Sequence, residues 1–255
     1  MRRVLCPELP KPERPVAIPE AEATHLTRVL RLSVGDEIEV IDGRGGACTA
    51  RLALRGKQWI ATLSEASPEK RISNELEVVP VILEVAVLKG EAMEWVVEKA
   101  VELGARSLHP FISANTVVQT GRKSPEEFRD RWQKIADQAL KQCGRLEKLE
   151  ILPPRSLESL LTPVPPGEVR FWCDEASRGA APGLLEAISD PAHQRPALAR
   201  LLIGPEGGWN PKEIGLLEAS SRRVSLGPVV LRAETAALAG LSLLAAAYRQ
   251  GSRLS

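Results

Sequence analysis

Three side chains able to act on a ligand stand together near the C-terminus: Arg232, Glu234 and Thr235. A guanidinium is a permanent, planar cation, and a carboxylate two residues away can orient it or accept a proton. Two glycine-marked turns precede them, Gly204-Pro205-Glu206-Gly207-Gly208 and Leu226-Gly227-Pro228. Each follows a segment that reads as a short buried strand, and each leads into a helix-like segment. Backbone groups presented at adjacent strand ends of an α/β sheet make a small-ligand cleft. Gly207 and Gly208 allow close approach to that ligand because no Cβ intervenes. The plainer alternative for Arg232 and Glu234 is an ion pair at the mouth of the last helix, Ala236–Gln250.

The turn chemistry narrows the ligand. The first turn is not G-x-G-x-x-G, and no acidic residue follows at the end of a second strand about twenty residues on, as a dinucleotide site requires. A Walker A loop is also missing from the sequence. Glu206 repels phosphate, whereas an ammonium or sulfonium group suits it.

The elements that must position these residues form an alternating pattern. Leu76–Leu88 is dense in Val, Ile and Leu, as a strand covered on both faces should be. Gly90–Leu103 has helical spacing, with Met93, Val96, Val97, Ala100, Val101 and Leu103 on one face and Gly104 as its cap. Ser107–Ile112 is the next strand. Ser124-Pro125-Glu126-Glu127 starts a helix that continues to about Gln142, where Gly144 stops it. Leu149–Leu152, Val169–Cys173, Leu198–Ile203 and Arg222–Leu226 read as strands. Ser156–Leu161 and Leu184–Ile188 read as short helices, and Asn210-Pro211-Lys212-Glu213 begins another. Strands alternating with helices predict an α/β fold with a mostly parallel sheet.

Residues 1 to about 72 read differently. Asp36–Ile41 alternates polar and apolar, Asp42–Gly46 is a turn, and Ala47–Leu54 and Gln58–Leu63 are further strands. Glu20–Leu30 reads as a short helix. The sum is a small barrel-like module with one helix. Two of its stretches are basic and free of acids: Thr24–Val34, with His25, Arg28 and Arg31, and Arg44–Lys57. They read either as a solvated surface or as a patch that tracks phosphates. The polar stretch Ala66–Glu75 is the domain boundary, giving units 1–72 and 73–255.

Composition removes several classes. A net charge of +1 limits nucleic-acid contact to local patches, and 4% aromatic content argues against broad base stacking. The cysteines Cys6, Cys48, Cys143 and Cys173 form no C-x-x-C pair, so neither a metal site nor a disulfide framework is expected, and a reducing cytoplasm fits. The N-terminus has no apolar core for a signal peptide, and Ala236–Ala247 is too short to span a bilayer, so no membrane association is expected.

The run Ile203–Gly208 followed by Leu226-Gly227-Pro228-Val229-Val230-Leu231-Arg232-Ala233-Glu234-Thr235-Ala236 resembles the RsmE family of the SPOUT superfamily of S-adenosylmethionine-dependent RNA methyltransferases. His25-Leu26-Thr27-Arg28-Val29-Leu30-Arg31-Leu32 with Gly35-Asp36 is similar to that family's RNA-binding module. Lys89–Met93, Glu98-Lys99, Glu102–Gly104 and Gln142–Arg145 are similar to its other blocks. Two positions depart. The family's Ser-x-Arg is here Ser113-Ala114-Asn115, which removes an arginine from an expected RNA or substrate contact. The family's Glu before the Gln-Cys step is Lys141.

The resemblance implies a PUA-like N-terminal β-barrel, a trefoil-knotted SPOUT α/β domain and a homodimer with sites at its interface. The residue pattern alone would not suggest the knot. It also implies methylation of N3 of a uridine in 16S ribosomal RNA, within the small ribosomal subunit. Arg232 would stabilise negative charge on the base, and Glu234 would orient Arg232 or help remove the proton. S-adenosylmethionine would be held by Leu202, Ile203, Gly204, Pro205, Glu206, Gly207, Gly208, Leu226, Gly227, Val230, Leu231, Thr235 and Ala236. Arg3, His25, Arg28 and Arg31 would contact RNA. The rival readings are an inactive RNA-binding assembly factor and a small-molecule enzyme with an α/β nucleotide site.

Overall fold

A computed structural model of the chain describes residues 2–64, 70–71, 79–118, 124–175, 181–190 and 195–250. The chain divides into two compact units, one of residues 1–74 with 137–148 and one of residues 75–136 with 149–255. The expected boundary at 72/73 and the first residues of the expected strand Leu76–Leu88 lie outside the described residues.

The first unit is a sheet of six strands. They are β1 (Arg3–Leu5), β2 (Val16–Ala17), β3 (Glu37–Ile41), β4 (Gly46–Arg55), β5 (Gln58–Leu63) and β6 (Lys70–Arg71), in the order β1-β3-β4-β5-β2, with β6 also on β4. Alternation in β3 aims Ile38 and Val40 inward, where they meet Val4, Cys6, Ala50 and Leu52 in one core. The expected helix Glu20–Leu30 is split: α1 covers Glu20–Thr24, and His25–Val29 is a π turn. The Leu30 N–H reaches back five residues to the His25 carbonyl at 3.0 Å. Leu26 is thereby kept in the core while Arg28 and Val29 are turned outward. Arg31 follows in a left-handed conformation, φ 55°, which ends any helix.

The second unit is a seven-stranded sheet in which every strand pair is parallel. Its strands are β7 (Val81–Ala86), β8 (Ser107–Ile112), β9 (Glu150–Ile151), β10 (Arg155–Ser156), β11 (Glu168–Cys173), β12 (Leu198–Ile203) and β13 (Arg222–Val224). The order β10-β8-β7-β12-β11-β13, with β9 on β8, puts β12 between β7 and β11. All six residues of β7 are buried, as a strand covered on both faces requires. The helices are α2 (Gly90–Glu102), α3 (Pro125–Cys143), α4 (Leu157–Leu160), α5 (Leu184–Ser189), α6 (Pro211–Ser220) and α7 (Ala233–Gln250). Residues 137–143 of α3 group with the first unit.

Local chemistry sets the helix starts. The Ser124 N–H donates to the Glu127 carboxylate at 2.7 Å and the Glu127 N–H to the Ser124 hydroxyl at 3.2 Å, and the Asn210 and Glu213 N–H groups donate to each other's side-chain oxygens at 3.0 and 2.9 Å, so both expected capping boxes form. Several expected bounds shift. The last helix begins at Ala233 rather than Ala236, because the Arg232 carbonyl already accepts the Ala236 N–H at 2.8 Å. The strand Arg222–Leu226 stops at Val224, and Ser225 forms only an isolated bridge to Gly183. Leu149–Leu152 contributes only Glu150–Ile151 to the sheet.

One face of the central strands is unusually polar at its lower end. Glu84 of β7, wholly buried, takes the Arg170 Nε at 2.9 Å and the Arg200 Nη1 at 3.4 Å, and Arg200 also pairs with Glu168 at 2.8 Å. Arg170 donates onward to the carbonyls of Thr162 and Leu160. Such a cluster is tolerated because its charges are mutually satisfied; removing one partner costs about 3–5 kcal/mol. It pins β7, β12 and β11 in register, and these are the strands whose upper ends carry the turns.

Candidate functional site

Three strand ends meet at one mouth because β12 and β11 are neighbours and β13 lies beside β11. β12 ends at Ile203 and opens into the Gly204–Gly208 turn. β11 ends at Cys173 and continues into Asp174 and Glu175. β13 leads through Ser225 into the Leu226–Gly227 turn and the start of α7. Between them is a cavity of about 480 Å³, within the range of cofactor sites.

Most of the residues expected at a cofactor site line it. Ile203, Gly204, Pro205 and Glu206 come from the first turn, Leu226, Gly227, Val230 and Leu231 from the second, and Arg232, Glu234 and Ala236 from the start of α7. Leu202 does not: successive strand residues face opposite sides, and Leu202 is buried in the core with Phe111, Trp172 and Leu217. Gly207, exposed, and Gly208, buried, do not line it either, and Thr235 is exposed to solvent.

The first turn is tightly held. A Cβ on Gly204 would lie 2.8 Å from the Trp209 indole. That ring is stacked on Phe111 at 6.0 Å and set edge-on to Trp172 at 6.2 Å, and its Nε1 donates to the Cys173 carbonyl at 3.2 Å. Asn115 donates its amide to the carbonyls of Gly207 and Gly208 at 3.1 and 3.0 Å.

Sequence reasoning missed the wall supplied by β11. The sequence places Asp174 and Glu175 some thirty residues before the glycine turn, and only strand order makes them its neighbours. Asp174 is gripped by the Arg223 Nε at 2.7 Å and by its Nη2, and the Arg223 guanidinium lies over the Trp172 ring at 5.5 Å. Among the described residues no counterion pairs with Glu175; burial, then the Asp174 charge, push its carboxyl above the usual range. Burial, reinforced by Asp174, pushes the Cys173 thiol up to about 12, so it is not a thiolate nucleophile. Ala92, Ser225, Val229 and Ala233 complete the unforeseen lining.

Among the described residues no ion pair joins Arg232 to Glu234. Arg232 is exposed at the mouth and Glu234 is half-buried beside it. The guanidinium is therefore not neutralised locally and is available to an incoming anionic group. The lining is apolar on one side, acidic at Glu206, Glu175 and Asp174, and rich in backbone groups at the turns. That set fits S-adenosylmethionine, with an apolar wall for adenine and carboxylates for a cationic arm, and it does not fit a polyphosphate. No cluster of metal-ligating side chains occurs among the described residues, and no helix among them is long and apolar enough to cross a membrane.

The residues expected to meet RNA lie in the first unit. Arg28 and Arg31 are exposed and His25 is half-buried. Arg3 is only 18% exposed and is paired with Glu39 on the adjacent strand. Arg2, which the sequence did not single out, donates from Nη1 to the Leu30 carbonyl at 2.5 Å and so joins the end of the π turn. The second basic stretch is partly neutralised, since Arg51 pairs with Glu37 across the β3–β4 ladder at 3.1 Å. The Lys141 departure is matched by Glu22, 2.7 Å away.

Residues 74–245 match the RNA methyltransferase domain family, and residues 18–58 match the RNA methyltransferase PUA domain family. The ribosomal RNA small subunit methyltransferase E of Bacillus subtilis is 31% identical over 228 residues, 88% of this chain and 86% of that protein. The protein of the same name from Synechocystis is 33% identical over 235 residues, 90% of this chain and 72% of that one. Among solved structures, the ribosomal RNA small subunit methyltransferase E of Neisseria gonorrhoeae bound to S-adenosyl methionine superposes with a TM-score of 0.80 at 29% identity, covering 95% of both chains. A putative methyltransferase of Legionella pneumophila in complex with the bound cofactor SAM gives 0.84 at 27% identity, covering 97% of this chain and 98% of that one.

Proposed function

The chain belongs to the ribosomal RNA small subunit methyltransferase E family, with its SPOUT α/β fold, and from that premise we propose that it methylates N3 of a uridine in 16S ribosomal RNA. The observation that carries this reading is the convergence of both glycine turns and an unpaired Arg232 on one cavity. S-adenosylmethionine supplies an electrophilic methyl group on a sulfonium.

The protein must then hold that donor, exclude phosphate ligands and raise the nucleophilicity of the base. The backbone of Gly204 and Leu226 and the side chains of Ile203, Leu231 and Ala236 form the adenosine wall. Glu206 and Glu175 favour a cationic ligand. Uracil N3 is a poor nucleophile until its proton leaves, and the resulting charge spreads over N3 and its flanking carbonyl oxygens. Arg232 stands where a fixed cation with planar donors stabilises that charge. Glu234, beside it at the helix start and not paired with the guanidinium, takes the proton. A paired uridine hides N3, so the base must leave its helix to react.

The exposed residues Arg2, Arg28 and Arg31 form the RNA-facing part of the N-terminal module in this reading. Residues 1–72 serve recognition and residues 73–255 catalysis. The active form is a cytoplasmic homodimer acting on the small ribosomal subunit, with Val229 and Val230, 68% and 60% exposed, on the side that faces a partner.

The test is calorimetric titration with S-adenosylmethionine followed by methyl transfer to small-subunit ribosomal RNA. Cofactor binding and modification at uridine N3 are expected. Failure to bind the cofactor sinks the proposal. Binding without transfer favours an assembly factor.

A further inference from the structure

The turn after β8 reads Ser113-Ala114-Asn115-Thr116, where the resemblance leads one to expect an arginine at 115. It is closed on itself: the Thr116 N–H reaches the Ser113 carbonyl at 3.1 Å, and the Ser113 N–H reaches the Thr116 hydroxyl at 2.9 Å. From this rigid base Asn115 spends both amide hydrogens on the first glycine turn, at the carbonyls of Gly207 and Gly208. The neighbouring Ala114 N–H is bound by the Glu213 carboxylate at 2.8 Å, whose second oxygen accepts the Asn210 N–H. Glu213 is itself buried. One carboxylate thus ties the β8 turn to the far end of the same glycine turn. The approach is close, for a Cβ on Gly207 would lie 2.9 Å from the Asn115 Cβ.

Gly207 and Gly208 do not line the cavity, but Pro205 and Glu206, immediately before them, do. We infer that Asn115 is a positioning residue for the cofactor: it locks the Pro205–Gly208 turn in the conformation that aims Glu206 and the turn backbone into the cavity. Where the resemblance leads one to expect an arginine, this chain thus carries a clamp on the donor site. This inference rests on the cavity binding S-adenosylmethionine.

Asn115 is exposed, so its replacement leaves the core intact. Two hydrogen bonds to backbone carbonyls are lost in Asn115→Ala, and the Kd for S-adenosylmethionine should rise about tenfold. The kcat at saturating cofactor should stay within about twofold, since the clamp acts on binding rather than on the reacting base. Asn115→Asp should bind more weakly than Asn115→Ala, because it sets a carboxylate against two carbonyl oxygens. Gly207→Ala should break the same clamp from the other side, and combining it with Asn115→Ala should cost no further affinity. An unchanged Kd in Asn115→Ala, or additive losses in the double variant, overturns the inference. So does a fall in kcat at unchanged Kd, which would make Asn115 an RNA contact. If the wild-type protein itself fails to bind the cofactor, the proposed function fails first.

Discussion

The two glycine turns face one cavity but are built in opposite ways. The Gly204–Gly208 turn is held by neighbours: Trp209 against Gly204, Asn115 against Gly207, and the Glu175 carboxylate 2.6 Å from where a Cβ on Gly208 would sit. The Leu226–Arg232 turn is held by itself, with the Ser225 hydroxyl bonded to the Gly227 N–H and carbonyl at 3.2 and 3.0 Å. Among the described residues nothing lies within 4 Å of a Cβ on Gly227, whose glycine character answers only to its φ of 136°. On the proposed reading the clamped turn and the Leu226–Leu231 backbone hold the donor, and the open end at Arg232 receives the substrate. A donor needs a preorganised wall, whereas the side that receives a large substrate must stay uncovered until that substrate arrives.

The sharpest way to break this division is Arg232→Ala, at the end of the open turn. Turnover should fall about 10²–10³-fold. The Kd for S-adenosylmethionine, measured by calorimetry, should change by less than about threefold; equal losses in both would make Arg232 a contact of the donor rather than of the reacting base. Next in size is Gly204→Ala, in the clamped turn. Its Cβ meets an indole that Phe111 and Trp172 hold in place. Overpacking of this kind costs about 1–3 kcal/mol, seen as a lower unfolding midpoint, and the Kd for the cofactor should rise at least about tenfold.

Gly227→Ala is the matched change in the open turn. A side chain at this φ is strained by about 1–3 kcal/mol if the backbone stays fixed. With no neighbour to strike, the turn can shift, so both stability and cofactor affinity should change less than in Gly204→Ala. A loss as large would show that the second turn is clamped in solution.

The smallest effect tests the sheet beneath both turns. His109 on β8 bonds the Ser107 hydroxyl at 3.0 Å, and burial, with the charges of Arg155, Arg200 and Arg170, lowers its pKa from 6.5 to about 4. The unfolded chain therefore takes up this proton first. The stabilising contribution is complete above pH 6.5 and is lost as pH falls from there through 4. After allowance for partial exposure the change is on the order of 1 kcal/mol. His109→Gln should flatten this part of the stability profile, followed by thermal unfolding from pH 7 to 4, without altering the ranking of the two turn variants.

Local features were legible in the residues wherever neighbours in sequence decide them. The capping residues Ser124 and Asn210 formed the boxes their spacing announced, and the run dense in Val, Ile and Leu through Val81–Ala86 became a strand buried on both faces, its one charge, Glu84, paired with Arg170 and Arg200. Helix Glu20–Leu30 was misjudged because its periodicity fits an α-helix until Leu30 bonds back five residues, a choice made by packing Leu26 into the core. Asn115 was visible as a departure from its family, but its partners lie more than ninety residues away.

Residue types and short spacings, which a linear reading captures, set the chemistry available: two glycine turns, an arginine followed two residues on by a glutamate, and a basic segment on a separate β-rich unit. Only folding inserts β12 between β7 and β11: the β11 side brings Asp174 and Glu175 to the turn, the β7–β8 side sets Asn115 against Gly207, and Leu202 faces the core. Strand order follows from long-range pairing and burial, which contribute only once distant segments meet. No local period encodes them.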